Sequence, residues 1–218
     1  MTKSSDTEEP DDVDNEDYIK RFFEFGNDEP IVHVTREITI TREMLDTERV
    51  WAIVEPVVCK MYGVETGAQA ETILAAFSLG QRRLYAVQYY LMEVQHGGHS
   101  YFFQYSGGLV WPDALAGLEM IGATAAYETL LEATRRFPEP PSVEFAPRNE
   151  ALEKLSCTLD DLDRRIYDVD VEVDELMHAY IRAHPEEFLC SVTVDEVQHP
   201  CKMVFVDGQW KWVPKEQV

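Results

Sequence analysis

Positive charge is what this sequence has least of. Its 218 residues carry 19 Lys and Arg against 41 Asp and Glu, a formal charge of −22 with a pI near 4.5. Neutralising phosphates takes a basic footprint, so direct binding to nucleic acid is not expected, nor is binding to an acidic membrane surface. Cysteine is sparse as well: Cys59, Cys157, Cys190 and Cys201 form no CxxC pair and no small-domain framework, which fits reduced thiols in a cytoplasm. No run of about 18 apolar residues occurs, and residues 1–17 lack the apolar core of a signal peptide, so a cytoplasmic location is expected. Also missing are a GxSxG elbow, a GxxxxGK phosphate loop, an HExxH pair and a dinucleotide-binding glycine fingerprint. The chain therefore reads as noncatalytic and without a cofactor.

Apolar residues make up 45% of the chain and aromatics 11%, ample material for a packed interior. The acids are not confined to a tail. Residues 1–17 hold eight acids against Lys3 alone and read as a solvated, disordered acidic tail; the other −15 belongs to the rest of the chain.

Periodicity predicts a mainly α protein: a multi-helix domain over 18–189, with a β-hairpin extension over 190–218 packed on it and an N-terminal strand or extended lead-in at Ile31, Val32, Val34, Ile38 and Ile40. Residues 18–25 are a short aromatic stretch. An apolar helical face runs from Val50 to Met61, where Pro56 should interrupt the helix, and Gly63 and Gly67 read as stops. Ser78 and Gln81 have capping-box spacing ahead of Leu84, Val87, Leu91 and Val94, predicting a helix to about Gln95. A short turn of helix follows between Gly97-Gly98 and Gly107-Gly108. Pro112 opens the next helix, Gly122 punctuates it, and 123–137 resumes at helical spacing. After a Pro-rich connector at 138–147, helical spacing returns through Leu152, Leu155, Leu159, Leu162 and Ile166, then Leu176, Met177, Tyr180 and Ile181. Pro185 ends it. Strands are predicted at 190–194, 201–206 and 209–213, with Asp207-Gly208 as a type I′ turn.

Two groups of residues could carry chemistry. Glu93, His96 and His99 are a weak metal-ligand candidate, because a carboxylate and an imidazole three residues apart can share a helix face; histidines hydrogen-bonding around a Gly-Gly turn are the plainer reading. The other group is acidic. Residues 160–187 hold ten acids against Arg164, Arg165 and Arg182, and Asp160, Asp161, Asp163, Asp168, Asp170, Glu172, Asp174 and Glu175 are the candidate partner-binding set. If 168–174 were extended, Asp168, Asp170, Glu172 and Asp174 would form a row of carboxylates about 6.6 Å apart, from a rise of about 3.3 Å per residue. Such a row can stand where a DNA-binding protein expects phosphates. The alternative is that these acids sit in a helix's first turn, where the macrodipole favours them.

One stretch has a family's look. His96-Gly97-Gly98-His99, then Phe102-Phe103-Gln104-Tyr105, Gly107-Gly108, Ala114-Leu115 and Leu118-Glu119-Met120-Ile121-Gly122-Ala123 together resemble the signature of the DNA-mimic protein 19 C-terminal-domain family, with similarity extending over about 49–188. His96 stands where that family often has Asn, and a histidine and a serine lengthen the segment before the aromatics. The resemblance implies a helical, often dimeric protein that binds a basic DNA-binding protein such as a repressor and keeps it off its operator. An immunity-type protein neutralising a basic toxin is the alternative, and a metal enzyme built on Glu93, His96 and His99 a third.

Overall fold

The computed structural model describes residues 32–198, 201–206 and 209–214, with side chains over 34–195. The expectations for the 1–17 tail, the 18–25 stretch and the conformation at Asp207-Gly208 lie outside the described residues. Backbone contacts gather Thr35–Asp195 into one compact unit, and the C-terminal hairpin belongs to a second.

The first unit is mainly α. Within it, residues 35–40 of β1 (Val32–Ile40) and 190–195 of β2 (Cys190–Gln198) form a two-stranded sheet. Thr35 Oγ1 donates to Asp195 at 2.7 Å, and Thr39 lies 2.9 Å from Ser191, a constant index sum that makes the pair antiparallel. Ile38, Ile40 and Val194 face the core while Thr35, Glu37 and Thr39 face out, the two-residue period of a half-buried strand.

The helices follow their punctuation. After α1 (Arg42–Thr47), the apolar face from Val50 to Met61 is split at Val54 into α2 (Val50–Ile53) and α3 (Glu55–Met61), because Pro56 lacks an N–H and is tolerated only in a first turn. Gly67 is not a stop. It is the first residue of α4 (Gly67–Leu74), which Thr66 and Gln69 open with a reciprocal capping box. The Ser78–Gln81 box opens α5 (Leu79–Gln104) as predicted. That helix runs past Gln95, broken only where Gly97 and Gly98 leave helical geometry, Gly98 at φ 77°. A 3-10 turn at Ser106–Leu109 leads to α6 (Trp111–Ile121), which ends at left-handed Gly122 before α7 (Thr124–Arg135). α8 (Phe145–Glu153) begins inside the predicted Pro-rich connector, with Pro147 in its first turn. Then come α9 (Asp160–Tyr167), α10 (Asp170–Ala183) and a 3-10 turn starting at Pro185. In the second unit, β3 (Cys201–Val206) and β4 (Gln209–Pro214) pair antiparallel with Val206 opposite Gln209, the register a two-residue connection demands.

α5 is the axis of the core. Leu84, Val87, Tyr90 and Val94 have no solvent exposure, and each apolar side chain so buried contributes about 1.5–3 kcal/mol. Its heaviest packing is against α6. Gly117 permits that approach, since a Cβ there would lie 2.7 Å from Val87 Cγ2 and 2.9 Å from the Arg83 carbonyl. Among the described residues, no helix is long and apolar enough to cross a membrane.

Candidate functional site

The eight predicted partner-binding acids fall on α9, α10 and the short link between them, and the structure divides them by use. Asp160, Asp161 and Asp163 lie in the first turn of α9, and Asp170 and Glu172 in that of α10, where exposed N–H groups favour negative charge. The extended row is therefore not formed. Asp168 caps the C-terminus of α9, and inside a helix residues two apart are rotated by roughly 200°, from 3.6 residues per turn, so Glu172 is turned away from Asp170 and Asp174 and the four acids share no single edge.

Three of the eight are taken up by partners within the chain, Asp161 at the surface and Asp163 and Asp170 half-buried. Asp161 takes a two-pronged contact from Arg136, which also donates to Glu132 at 3.0 Å, and Arg165 reaches Glu132 from the same helix as Asp161. These arginine hydrogen bonds hold both carboxyls below the usual carboxylate range. Asp163 accepts the His99 backbone N–H at 2.8 Å and lies 2.6 Å from His99 Nδ1. Asp170 accepts Gln95 Nε2 at 2.8 Å and the Val171 N–H at 2.7 Å. The other five, Asp160, Asp168, Glu172, Asp174 and Glu175, are exposed. Asp174 faces His178 at 3.6 Å; the remaining four make no ion pair among the described residues.

Glu172 and Glu175 also line a groove of about 770 Å³ against the end of α1. Asp46 and Glu48 stand in the same groove, over 120 residues away in sequence, which is why no local pattern pointed to them. The groove is not purely negative: Arg49 and Arg182 line it too, leaving four carboxylates against two guanidiniums.

Behind this surface is a set of internal anchors. Gly98 lies directly under the Asp163 carboxylate, so that a Cβ would occupy its place. His99, with no solvent exposure, bridges Asp163 to the Tyr90 hydroxyl at 2.8 Å, and burial together with the Asp163 charge pushes the Tyr90 phenol well above its ordinary range. Tyr90 and His99 are sealed inside, so the Tyr90–His99–Asp163 trio orders the interior. Arg148, equally buried, donates Nε to the Phe103 carbonyl at 2.6 Å, Nη1 to those of Ser142 and Val143, and Nη2 to that of Tyr105. Burial lowers its guanidinium to about 10. Gly108 has no side chain because Arg148 fills that space. Glu187 serves the start of α5, accepting the Gly80 N–H at 2.6 Å and the Tyr180 hydroxyl at 2.8 Å.

The metal candidates are not gathered. Both ring nitrogens of His99 are engaged, His96 is exposed with its ring against Tyr101, and the Gly97-Gly98 break lies between them and His99. Glu93 is buried with one oxygen unpartnered, and desolvation raises its pKa. Among the described residues, no cluster of three or more His, Cys, Asp or Glu is placed to hold a metal ion.

Neither the curated proteins nor the solved structures yield a match to the chain. A family model described as DMP19-like protein does match, over residues 75–184. That span, half of the chain, holds both glycine pairs, His99, Arg148, Asp163 and all eight acids. The signature residues are thus the scaffold that positions α9 and α10, and the chain belongs to the DMP19-like protein family.

Proposed function

We propose that the α9–α10 surface, with the groove it shares with α1, docks a basic protein, and that the chain acts without catalysis by covering a surface its partner would otherwise offer to DNA. The observation that carries this reading is the division of the acids. Arg136, His99 and Gln95 bond three of the carboxylates, while Asp160, Asp168, Glu172 and Glu175 are exposed on α9, α10 and the link between them and make no ion pair among the described residues, Arg49 and Arg182 being the cations that share the groove with the last two. Carboxylates left without a partner in this way are available for charge-assisted bonds to Lys and Arg. The −22 net charge steers a basic partner toward the chain and repels nucleic acid. Family membership supports the same reading, since the matched family takes its name from a DNA mimic.

The test is competition. A partner recovered by affinity capture is loaded on a labelled duplex, and the chain is added. Displacement by the wild type, and its loss with Asp168→Asn, Glu172→Gln and Glu175→Gln combined, is the expected outcome. A partner that holds duplex and chain together, or that binds no nucleic acid, overturns the mimic reading; a nuclease whose cleavage the chain inhibits would establish the immunity-type alternative.

A further inference from the structure

A second cavity, sharing no residue with the acid-lined groove, opens between the Val64–Thr66 loop, the turn after α5 and the start of α8. Its volume of about 610 Å³ is within the range that encloses drug-sized ligands. Leu109 is a buried part of its wall, and two rings stand half open in it: Tyr105 is 42% and Phe145 48% exposed, unusual for side chains of that size. Between them the polar groups have one character. Glu65 is exposed and makes no ion pair among the described residues. Glu144 spends Oε1 on the Gly67 N–H at 3.1 Å, and its other oxygen accepts no hydrogen bond among the described residues.

The wall's cation, Arg148, cannot serve an anionic ligand. Nε and both terminal nitrogens are turned onto backbone carbonyls, and the side chain is fully buried. Its charge offsets that of Glu144, leaving Glu65 as the uncompensated one. Aromatic faces beside free carboxylate oxygens, with no available cationic donor, select a cation on an apolar stem. Guanidinium suits this better than ammonium, because it is planar, stacks on rings and is weakly hydrated.

We propose that this cavity is a receptor for an arginine side chain on an extended segment of a protein partner, with the guanidinium held between Tyr105 and Phe145 and reaching Glu65 and Glu144. The proposal shares with the preceding reading the expectation of a basic partner, but it places the specificity-giving contact away from α9–α10.

Titration of the full chain with acetyl-Leu-Arg-Leu-amide, and with the same peptide carrying citrulline, tests it by amide chemical shifts. Citrulline keeps the shape and removes the charge. The arginine peptide is expected to bind at least about fivefold more tightly, with shifts centred on Val64–Thr66, Tyr105–Leu109 and Glu144–Arg148. Phe145→Ala and Glu65→Gln, both at exposed positions and so compatible with folding, should each weaken it about three- to tenfold. Ala146→Trp, also at an exposed wall position, should plug the cavity and abolish the shifts. Glu172→Gln with Glu175→Gln should leave them unchanged, so failure of the cavity and failure of the α9–α10 reading are separable. Equal affinity for both peptides, shifts confined to the α1–α10 groove, or indifference to Phe145→Ala and Glu65→Gln overturns the proposal.

Discussion

The glycine-paired stretch from His96 to Leu109 and the acidic stretch from Asp160 to Glu175 are the two most distinctive parts of this chain, and they use their polar groups in opposite ways. In the first, polar atoms turn inward: His99 is bonded through its backbone N–H and both ring nitrogens, and the carbonyls of Phe103 and Tyr105 receive Arg148. In the second, most carboxylates turn to water. Asp163 links the two stretches, an acid of the charged run that is bonded to buried His99. The difference teaches that the family-defining residues specify where α9 sits, whereas the charge that could meet a partner is carried by residues the fold does not need.

That contrast is breakable, and the largest effects belong to the inward region. Arg148→Ala leaves the buried Phe103 carbonyl and three part-buried ones without their donor and empties the space of a fully buried side chain, an unsatisfied buried group alone costing about 1–3 kcal/mol, and is expected to abolish cooperative unfolding or lower the urea midpoint severely. A midpoint equal to the wild type's would remove Arg148 from the scaffold. Next comes Asp163→Ala, which strips His99 of two hydrogen bonds to a charged acceptor and should cost about 3 kcal/mol by the same measurement.

A smaller effect, of opposite sign, is expected at Glu93. Its folded pKa is raised, so the stability it provides is complete below the unfolded value and is lost as pH rises through the folded one. Glu93→Gln should therefore raise the thermal midpoint relative to wild type by more at about pH 8 than at about pH 4. The reverse trend would mean that the buried carboxylate is stabilised in its charged form. Smallest of all, Asp168→Asn, Glu172→Gln and Glu175→Gln should each change stability by less than about 0.5 kcal/mol, as surface substitutions do. A larger loss from any of them would erase the division between scaffold and surface.

Where structure is set by residues close in sequence, it was legible. Ser78 with Gln81, the interruption at Pro56, Gly122 at a helix end and the pairing of β3 with β4 are all local, and each appears where predicted. The box of Thr66 and Gln69 has the same signature and was obscured by Gly67, which invites reading as a stop. The acidic row failed for a related reason: alternating acids fit a strand and a helix start equally well, and Val173, Met177 and Ile181, buried at four-residue spacing, decide for the helix. What could not be read was long-range. Nothing near Asp163 announces His99, 64 residues earlier, and nothing near Arg148 announces the carbonyls 43 and 45 residues before it. The groove is legible only in half, since Asp46 and Glu48 reach it through tertiary packing.

The most direct test of the account is the salt dependence of partner binding by the wild type and by the combined Asp168→Asn, Glu172→Gln, Glu175→Gln variant, with thermal midpoints measured alongside. The account predicts equal midpoints, weaker binding by the variant, and a shallower fall of its affinity as salt is raised. Equal affinity and equal salt slope for the two proteins would contradict it.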